Sequence, residues 1–206
     1  MDKEAMYKLT YGLFVLTAKE GDKDNGCIIN TAIQAASEPN QMSIAVNKTN
    51  LTHDMIQKTG EFTVSVISQD ATFDLFERFG FHSGRDMDKF QTFDGWKRGA
   101  NGIPYVTEGT NAYISVKVEK MEDLGSHTMF IGTITDMKVL SSASSVTYEY
   151  YHQNIKPKPE ESKKTESGQT VWRCRICGYE YVGEELPEDY ICPLCKHPAS
   201  DFEKVE

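Results

Sequence analysis

Four of the five cysteines lie within 22 consecutive residues near the end of the 206-residue chain. They form two Cys-x-x-Cys pairs, Cys174 with Cys177 and Cys192 with Cys195, separated by 14 residues. Each pair can make a tight turn that presents two thiolates, and the loop between the pairs can bring both turns together in a tetrahedral arrangement. This spacing is typical of a metal site rather than a disulfide framework, and it indicates a reducing compartment.

The short C-terminal segment needs such a metal in order to fold. Residues 169–206 are too few to bury much core, and a chain below about 40 residues usually requires a metal or disulfides. Zinc and iron both accept four thiolates, so the ligand set alone does not discriminate between them. Five aromatic side chains can bury the centre and limit water access, which tunes a redox metal: Trp172, Tyr179, Tyr181, Tyr190 and Phe202.

The two cysteine turns read CRICGY and CPLCKHP, and over about residues 170–204 the segment resembles rubredoxin. Its shortened middle is more similar to the rubredoxin module that ends rubrerythrins. The resemblance implies one iron, bound by all four of these cysteines, that cycles between the ferric and ferrous states. Lys196 departs from the pattern, because the second turn usually carries glycine there. A zinc ribbon that only stabilises the module is the alternative.

The chain divides at a polar stretch that reads IKPKPEESKKTESGQ, which starts at Ile155. Proline, charged residues and serine dominate it, and such a composition favours solvated coil. We therefore expect a first domain over residues 1–154, a flexible linker over 155–168 and a second domain over 169–206.

The net charge of −9 argues against nucleic acid or an anionic membrane surface as a partner, since both would repel the chain. The N-terminus, MDKEAMYKLT, has no basic region followed by an apolar stretch, and no run of residues is long enough to span a bilayer. These features predict a cytoplasmic location.

The first domain is predicted to be mainly β. Short β-type runs alternate with turn signals, which is typical of an antiparallel barrel or sandwich. The runs are YGLFVLTA, GCIINTAI, MSIAVN, FTVSVI, AYISVKVEKM and MFIGTITDMKVL. Two short helices interrupt them: Asn50 is expected to cap one that stops at Gly60, and Asp70 one that stops at Gly80. Cys27, in an apolar run, is expected to be a small core residue.

A possible anion site lies at the start of the first helix. The stretch NKTNLTH, residues 47–53, places polar side chains where free backbone N–H groups and the helix dipole favour an anion. Any well-capped helix has the same appearance, so this pattern alone leaves the alternative of a plain cap open.

Three longer stretches, residues 25–68, FERFGFHSGRDMDKF and GSHTMFIGTITD, resemble in order and spacing the flavin-reductase-like family, whose fold is an FMN-binding split β-barrel. The resemblance covers roughly residues 5–150 and implies bound FMN. By position, it implies that the flavin ring is flanked by Asn30, Thr31, Ala32 and Gln34. The residues implied around the ribityl phosphate are Asn47, Lys48, Thr49, Asn50, Leu51 and Thr52.

The same resemblance implies further site residues. His127 lies where relatives place a histidine near the flavin or nicotinamide, and an imidazole there could act in catalysis by orienting the donor. Phe79, Ser83 and Lys89 belong to a segment that borders the cofactor in the family. The alternative for this segment is a solvated loop after a helix, in which Arg85 pairs with Asp86 or Asp88.

The whole arrangement resembles the high-molecular-weight rubredoxins of anaerobic bacteria. It implies an NAD(P)H-dependent oxidoreductase that passes electrons through FMN to the iron centre and on to an acceptor protein such as a flavodiiron oxygen or nitric oxide reductase. The family also implies a homodimer. Two alternatives remain: an electron carrier reduced by another flavoprotein, and a flavin reductase with a zinc-ribbon tail.

Overall fold

The computed structural model describes residues 3–157, 170–175, 179–192 and 198–205. The chain forms two compact units, residues 1–156 and residues 157–206. The predicted domain limits at 154/155 and 168/169 stay predictions, because most of the predicted linker lies outside the described ranges.

The first unit is built on a seven-stranded antiparallel sheet, in the order β2-β1-β5-β8-β9-β4-β3. A separate two-stranded hairpin consists of β6 and β7. The strands are β1 (Phe14–Glu20), β2 (Lys23–Ile29), β3 (Ala32–Ser37), β4 (Asn40–Asn47), β5 (Glu61–Ile67), β6 (Trp96–Arg98), β7 (Pro104–Val106), β8 (Thr110–Asp123) and β9 (His127–Val139). The mainly β prediction is confirmed.

Alternation of apolar and polar residues explains how β4 sits in the sheet. Met42, Ile44 and Val46 are buried, while the residues between them are only half-buried, as expected for a strand with one face on a core. These three side chains belong to the main core, which also contains Phe62 and Phe130.

The two outer strands of the sheet, β2 and β3, are consecutive in the sequence. The run GCIINTAI therefore contributes to two strands, since β2 ends at Ile29 and β3 begins at Ala32. Only Asn30 and Thr31 lie between them. Ile29 and Ala32 contribute to the same core cluster, so the sheet curls until its two edges approach each other.

Helix α1 (Leu51–Thr59) is confirmed with both predicted ends. The Asn50 side chain accepts a hydrogen bond from the Thr52 amide at 3.2 Å. Gly60 ends the helix in the left-handed conformation, at φ 71°, where glycine is favoured.

The second predicted helix starts and stops elsewhere. Helix α2 (Phe73–Phe76) begins after Thr72 rather than Asp70, and a π-helical turn, Glu77–Phe81, continues it through Gly80. A Cβ on Gly80 would lie 3.4 Å from Ile28, so this position packs closely on β2 rather than ending a helix. The prediction of Asp70 as cap and Gly80 as stop is therefore wrong.

Two short helical segments complete the first unit: a 3₁₀ turn over Lys3–Lys8, and α3 (Tyr148–Tyr150), which continues as a π-helical turn over Tyr151–Ile155. A second core of aromatic and aliphatic side chains includes Phe76 and Phe79, which cluster with Val15 of β1 and Ile67 of β5. Among the described helices, none has the length and apolar character required to cross a membrane.

The second unit contains a three-stranded antiparallel sheet. Strand β10 (Val171–Cys174) lies between β11 (Glu180–Val182) and β12 (Phe202–Val205). A 3₁₀ turn, Ala199–Asp201, precedes β12. The small core consists of Cys174, Cys192 and Phe202, against which the other aromatic residues of the unit pack.

Candidate functional site

The turn between β4 and α1 gathers several of the residues predicted to hold the phosphate. The Asn47 side-chain oxygen accepts hydrogen bonds from the amide and the hydroxyl of Thr49, both at 3.0 Å. Asn50 caps the helix, and Leu51 packs against the main core. Free helix N–H groups and the helix dipole favour an anion at such a terminus.

Lys48 ties this turn to the hairpin between β8 and β9. Its amide donates to the Ser126 carbonyl at 3.0 Å, and its ammonium group lies 2.6 Å from the carboxylate of Asp123. The hydrogen bond from Lys48 holds the pKa of Asp123 below its usual value. The Lys48 side chain is about one-third exposed, so its charge faces the solvent beside the turn.

His127 begins β9 directly opposite Asn47, the last residue of β4. Its ring nitrogen Nδ1 lies 2.9 Å from the Ser126 hydroxyl, and the side chain is half-buried. The structure therefore brings the predicted catalytic histidine next to the predicted phosphate turn, although His127 and Asn47 are 80 positions apart in the sequence.

The residues predicted along the flavin ring lie beside the same end of β4, with one exception. The Thr31 hydroxyl donates to the Ala45 carbonyl at 2.7 Å, and Ala32 pairs with Ile44. Asn30 precedes them, at the junction between β2 and β3. Gln34 lies farther along β3, where its exposed side chain donates to Asn40 at 2.9 Å.

The segment that follows the π-helical turn packs against the start of α1. A Cβ on Gly84 would overlap the side chain of Asn25, which donates a hydrogen bond to the buried Thr52 hydroxyl at 2.9 Å. The Ser83 hydroxyl accepts from the Arg85 amide at 3.1 Å. Asn25 thus lies between Gly84, which follows the predicted site residue Ser83, and the predicted site residue Thr52.

Phe79 and Lys89 belong to the interior beneath this segment. The Phe79 ring packs edge-on against Phe90, and the Lys89 ammonium group donates to the carbonyls of Gly26 at 2.8 Å and Phe79 at 3.2 Å. Burial lowers the pKa of Lys89 to about 8. Both side chains pack in the interior of the first unit, and their contact with the flavin stays a prediction.

Cys27 is a buried core residue, as predicted. Burial raises the pKa of its thiol, and the neighbouring side chains of Thr52 and Asn50 partly oppose this shift. The thiol therefore lies under the first turn of α1 as a packing group.

Sequence inspection missed a row of polar contacts at the same turn. His53 is buried, with Nε2 at 2.8 Å from the Thr128 hydroxyl and Nδ1 at 3.2 Å from Asp54. The other oxygen of Asp54 accepts from Arg85 at 2.6 Å. Arg85 therefore pairs with Asp54 rather than with Asp86 or Asp88, its partners in the alternative of a solvated loop. Nothing in the local sequence indicates a contact between residues 31 positions apart.

The second unit presents two of the four predicted metal ligands. Cys174, at the end of β10, and Cys192 are both buried, and both belong to the small core. The Cys174 amide donates to the Tyr179 carbonyl at 2.8 Å, so these two residues lie side by side. Cys177 and Cys195 lie outside the described residues.

Aromatic rings surround these two cysteines. The rings of Tyr181 and Tyr190 are 4.7 Å apart, and those of Tyr190 and Phe202 are 5.4 Å apart. Among the described residues no acceptor meets the buried indole N–H of Trp172. Thiols in so apolar a pocket suit a metal held as a thiolate complex with little access for water.

Comparison with known proteins agrees with this two-part structure. Residues 6–158 match the family model described as flavin reductase like domain, and residues 172–203 match the rubrerythrin, rubredoxin-like domain. The high molecular weight rubredoxin of Moorella thermoacetica is 37% identical, with 100% of both chains covered.

Two further relatives match about three quarters of the chain or less. The ferric-chelate reductase (NAD(P)H) of Archaeoglobus fulgidus is 40% identical, over 74% of this chain and 89% of that protein. An NADH:FAD oxidoreductase of Streptomyces globisporus has a TM-score of 0.63 at 22% identity, over 70% of this chain and 85% of that one, and so shares the fold.

These matches assign a flavin to the first unit and an iron centre to the second, and they make the chain an electron-transfer oxidoreductase. The recognised resemblance is confirmed, since both family models fall on the expected segments. The chain belongs to the flavin reductase-like family, in the form that continues into a C-terminal rubredoxin-like domain.

Proposed function

We propose that the protein is a cytoplasmic NAD(P)H-dependent oxidoreductase that passes electrons through FMN to a Fe(Cys)₄ centre and on to an acceptor protein. The observation that carries the proposal is the union, in one chain, of a flavin reductase-like domain with a rubredoxin-like domain. The full-length match to a high molecular weight rubredoxin and the NAD(P)H in the name of the ferric-chelate reductase support it.

The two cofactors divide the chemistry between them. A bound flavin takes up two electrons as a hydride and releases them singly, whereas a thiolate-bound iron carries one electron at a time. A protein that connects a nicotinamide to a one-electron acceptor therefore needs both.

The residues that would hold FMN surround the end of β4. The cap at Asn50 and the adjoining helix terminus would receive the phosphate, with Lys48 supplying a nearby positive charge. Asn30, Thr31 and Ala32 would flank the ring. His127, opposite Asn47, would orient the nicotinamide donor, which would stack on the exposed flavin face.

The four cysteines Cys174, Cys177, Cys192 and Cys195 would hold the iron. The burial of Cys174 and Cys192 supports this assignment, because a dry thiolate site limits access of water to the metal. Hydrogen bonds and burial around the sulfurs would then set the reduction potential.

The acceptor protein is proposed to carry a basic docking surface, and a flavodiiron oxygen or nitric oxide reductase is our candidate. The described part of the second unit exposes acidic side chains on β11 and the loop after it: Glu180, Glu184, Glu185, Glu188 and Asp189. Such a surface steers a positively charged partner toward the iron and raises the association rate more than the affinity.

We also propose a homodimer. Several large apolar side chains of the sheet are exposed, among them Ile33 on β3 and Met137 and Val139 on β9, which are 66%, 57% and 74% exposed. Apolar groups this exposed are typical of surfaces that another protein covers. Sedimentation of the purified protein at several concentrations tests the dimer, and a mass that stays at one chain would exclude it.

The experiment that tests the function is an anaerobic visible spectrum before and after NADH or NADPH is added, with iron and zinc measured in the same sample. Loss of both the flavin absorbance and the ferric-thiolate colour is the expected result. If both colours persist until dithionite is added, the protein is a carrier reduced by another flavoprotein. If zinc replaces iron in protein grown with ample iron, the second unit is a zinc ribbon.

A further inference from the structure

A row of four polar side chains runs from the interior to the surface at the start of α1. It begins at Thr128 on β9, passes through His53 and Asp54, and ends at Arg85. The contacts are 2.8 Å, 3.2 Å and 2.6 Å long. Thr128 and His53 are 7% and 4% exposed, whereas the side chain of Arg85 is 51% exposed.

The charge on Asp54 fixes the direction of the hydrogen bonds in this row. The hydrogen bond from Arg85 holds the pKa of Asp54 below its usual value, so the group is a carboxylate and accepts from both neighbours. In the neutral imidazole of His53, Nδ1 then carries the proton and donates to Asp54, which leaves Nε2 to accept from the Thr128 hydroxyl. Every member of the row is satisfied in this arrangement.

The row joins three segments that are distant in the sequence. Thr128 follows His127, the proposed donor-orienting residue. His53 and Asp54 belong to the first turn of α1, where the phosphate is proposed to bind, and Arg85 belongs to the segment after the π-helical turn that contains Ser83. All three segments belong to the proposed flavin site.

The buried end of the row orders the ion pair between Asp54 and Arg85 at its exposed end. An isolated exposed pair contributes little, because two long side chains must be ordered in water. Asp54 is instead held by a buried imidazole, which is itself fixed by Thr128 and packs on Phe130 with ring centroids 5.6 Å apart. Linked polar groups in a low-dielectric interior strengthen one another.

We propose that His53 is a positioning residue: through Thr128, Asp54 and Arg85 it holds the three segments of the flavin site in their binding arrangement before the flavin arrives. This proposal rests on the proposed function only in placing the flavin among these segments. A preorganised site binds more tightly, because less order has to be created on binding.

A double-mutant cycle on the two ends of the row tests the proposal. Thr128→Val removes the hydroxyl while keeping the shape of the side chain, and Arg85→Gln removes the charge. The dissociation constant for FMN is measured by quenching of flavin fluorescence. Each single change should weaken binding about five-fold, and the double variant also by about five-fold, because breaking the row at either end already releases it.

An additive result, roughly 25-fold in the double variant, would overturn the proposal, since it would mean that residues with no mutual contact act independently. Unchanged affinity in both single variants would also overturn it. Thr128→Ser keeps the hydroxyl and should bind FMN like the wild type. Lys58→Gln breaks an exposed ion pair with Glu20 at the other end of α1, 2.8 Å long, and should have no effect.

The unfolding midpoint of the flavin-free variants separates positioning from a general loss of stability. If FMN affinity falls only in proportion to the unfolding midpoint, and the Lys58→Gln variant follows the same proportion, His53 has a purely structural role and the proposal fails. None of these measurements uses a nicotinamide. If the wild type binds FMN but NADH and NADPH do not bleach the bound flavin, the proposed function is contradicted, whereas the proposal for His53 still holds.

Discussion

The amino group of Lys89 lies in the interior, where it donates to two backbone carbonyls among the described residues. Burial lowers its pKa from 10.5 to about 8. Below about pH 8 both the folded and the unfolded chain hold the proton, so the unfavourable burial of the charge is fully present. Between about 8 and 10.5 the folded protein releases the proton first, and its stability rises with pH relative to a variant without the amine.

We predict that the free energy of unfolding of the wild type, relative to that of Lys89→Met, rises by about 3 kcal/mol as the pH rises from about 7 to about 10. Urea unfolding of both proteins at the two pH values measures this shift. The comparison is repeated with Cys27→Ala in both proteins, because burial also shifts the pKa of the neighbouring thiol and its charge acts on Lys89. A difference independent of pH would show that the folded protein holds the proton over this range as the unfolded chain does, so that burial does not lower the pKa of Lys89.

Asn50 serves as a helix cap and as a proposed phosphate ligand, and two substitutions separate these roles. Asn50→Ala removes the acceptor for the Thr52 amide and should cost about 1 kcal/mol of stability. Asn50→Asp keeps an acceptor, so stability should be retained, but its negative charge should weaken FMN binding at least about ten-fold by repelling the phosphate.

Thermal unfolding of the apoprotein and FMN titration measure the two effects of the Asn50 substitutions. If the aspartate variant binds FMN as tightly as the wild type, the phosphate lies elsewhere.

Single side chains were predictable where their role is local. The Asn50 cap and the Gly60 stop follow from the few residues around them. The pairing of Arg85 with Asp54 was not predictable, because the fold, and not the local sequence, brings the two residues together.

At the level of elements, the paired strands β8 and β9 approach each other closely at one position of β9, where only glycine fits. A Cβ on Gly132 would overlap the Lys117 carbonyl oxygen and lie 2.7 Å from the Val116 side chain. The register of the two strands shifts on both sides of this close approach. The close approach therefore involves backbone, which cannot rotate away as a side chain can.

We predict that Gly132→Ala destabilises the first unit by about 3 kcal/mol or more, because the strands must separate. Gly60→Ala is the matched control: nothing lies within 4 Å of its Cβ, and only its positive φ costs energy, about 1 kcal/mol. Chemical denaturation of both variants tests the order. Equal losses would show that the strands accommodate the methyl group.

Most strands were predictable from alternation, but their boundaries were not. The run GCIINTAI has no turn signal strong enough to reveal that it leaves one edge of the sheet and enters the other. Thr72 starts α2 without a side-chain capping bond, so tertiary packing rather than a local cap decides where that helix begins. The hairpin of β6 and β7 has only three residues in each strand, too few for a periodic pattern.

At the scale of the molecule, the two units divide the cofactors. Cys192→Ser removes one buried thiol of the second unit and leaves the first unit, residues 1–156, intact. We expect the variant to lose most of its iron while NADH still bleaches its flavin at the wild-type rate. Electron delivery to an acceptor protein should fall at least about ten-fold.

Metal analysis and stopped-flow spectra of the same Cys192→Ser preparation measure these quantities. Cys27→Ser is the matched control for iron content, because its thiol belongs to the core of the first unit. Unchanged delivery to the acceptor protein in the iron-poor variant would remove the iron from the route.

The short join between β2 and β3 has a consequence for solubility. Only Asn30 and Thr31 separate the two outermost strands, so the α-carbons of Ile29 and Ala32 are at most about 11 Å apart, three steps of about 3.8 Å. Unpaired strand edges recruit other chains into growing fibrils. Here the two free edges are forced to face one another at that end, which hinders an incoming strand and protects the protein from edge-to-edge aggregation.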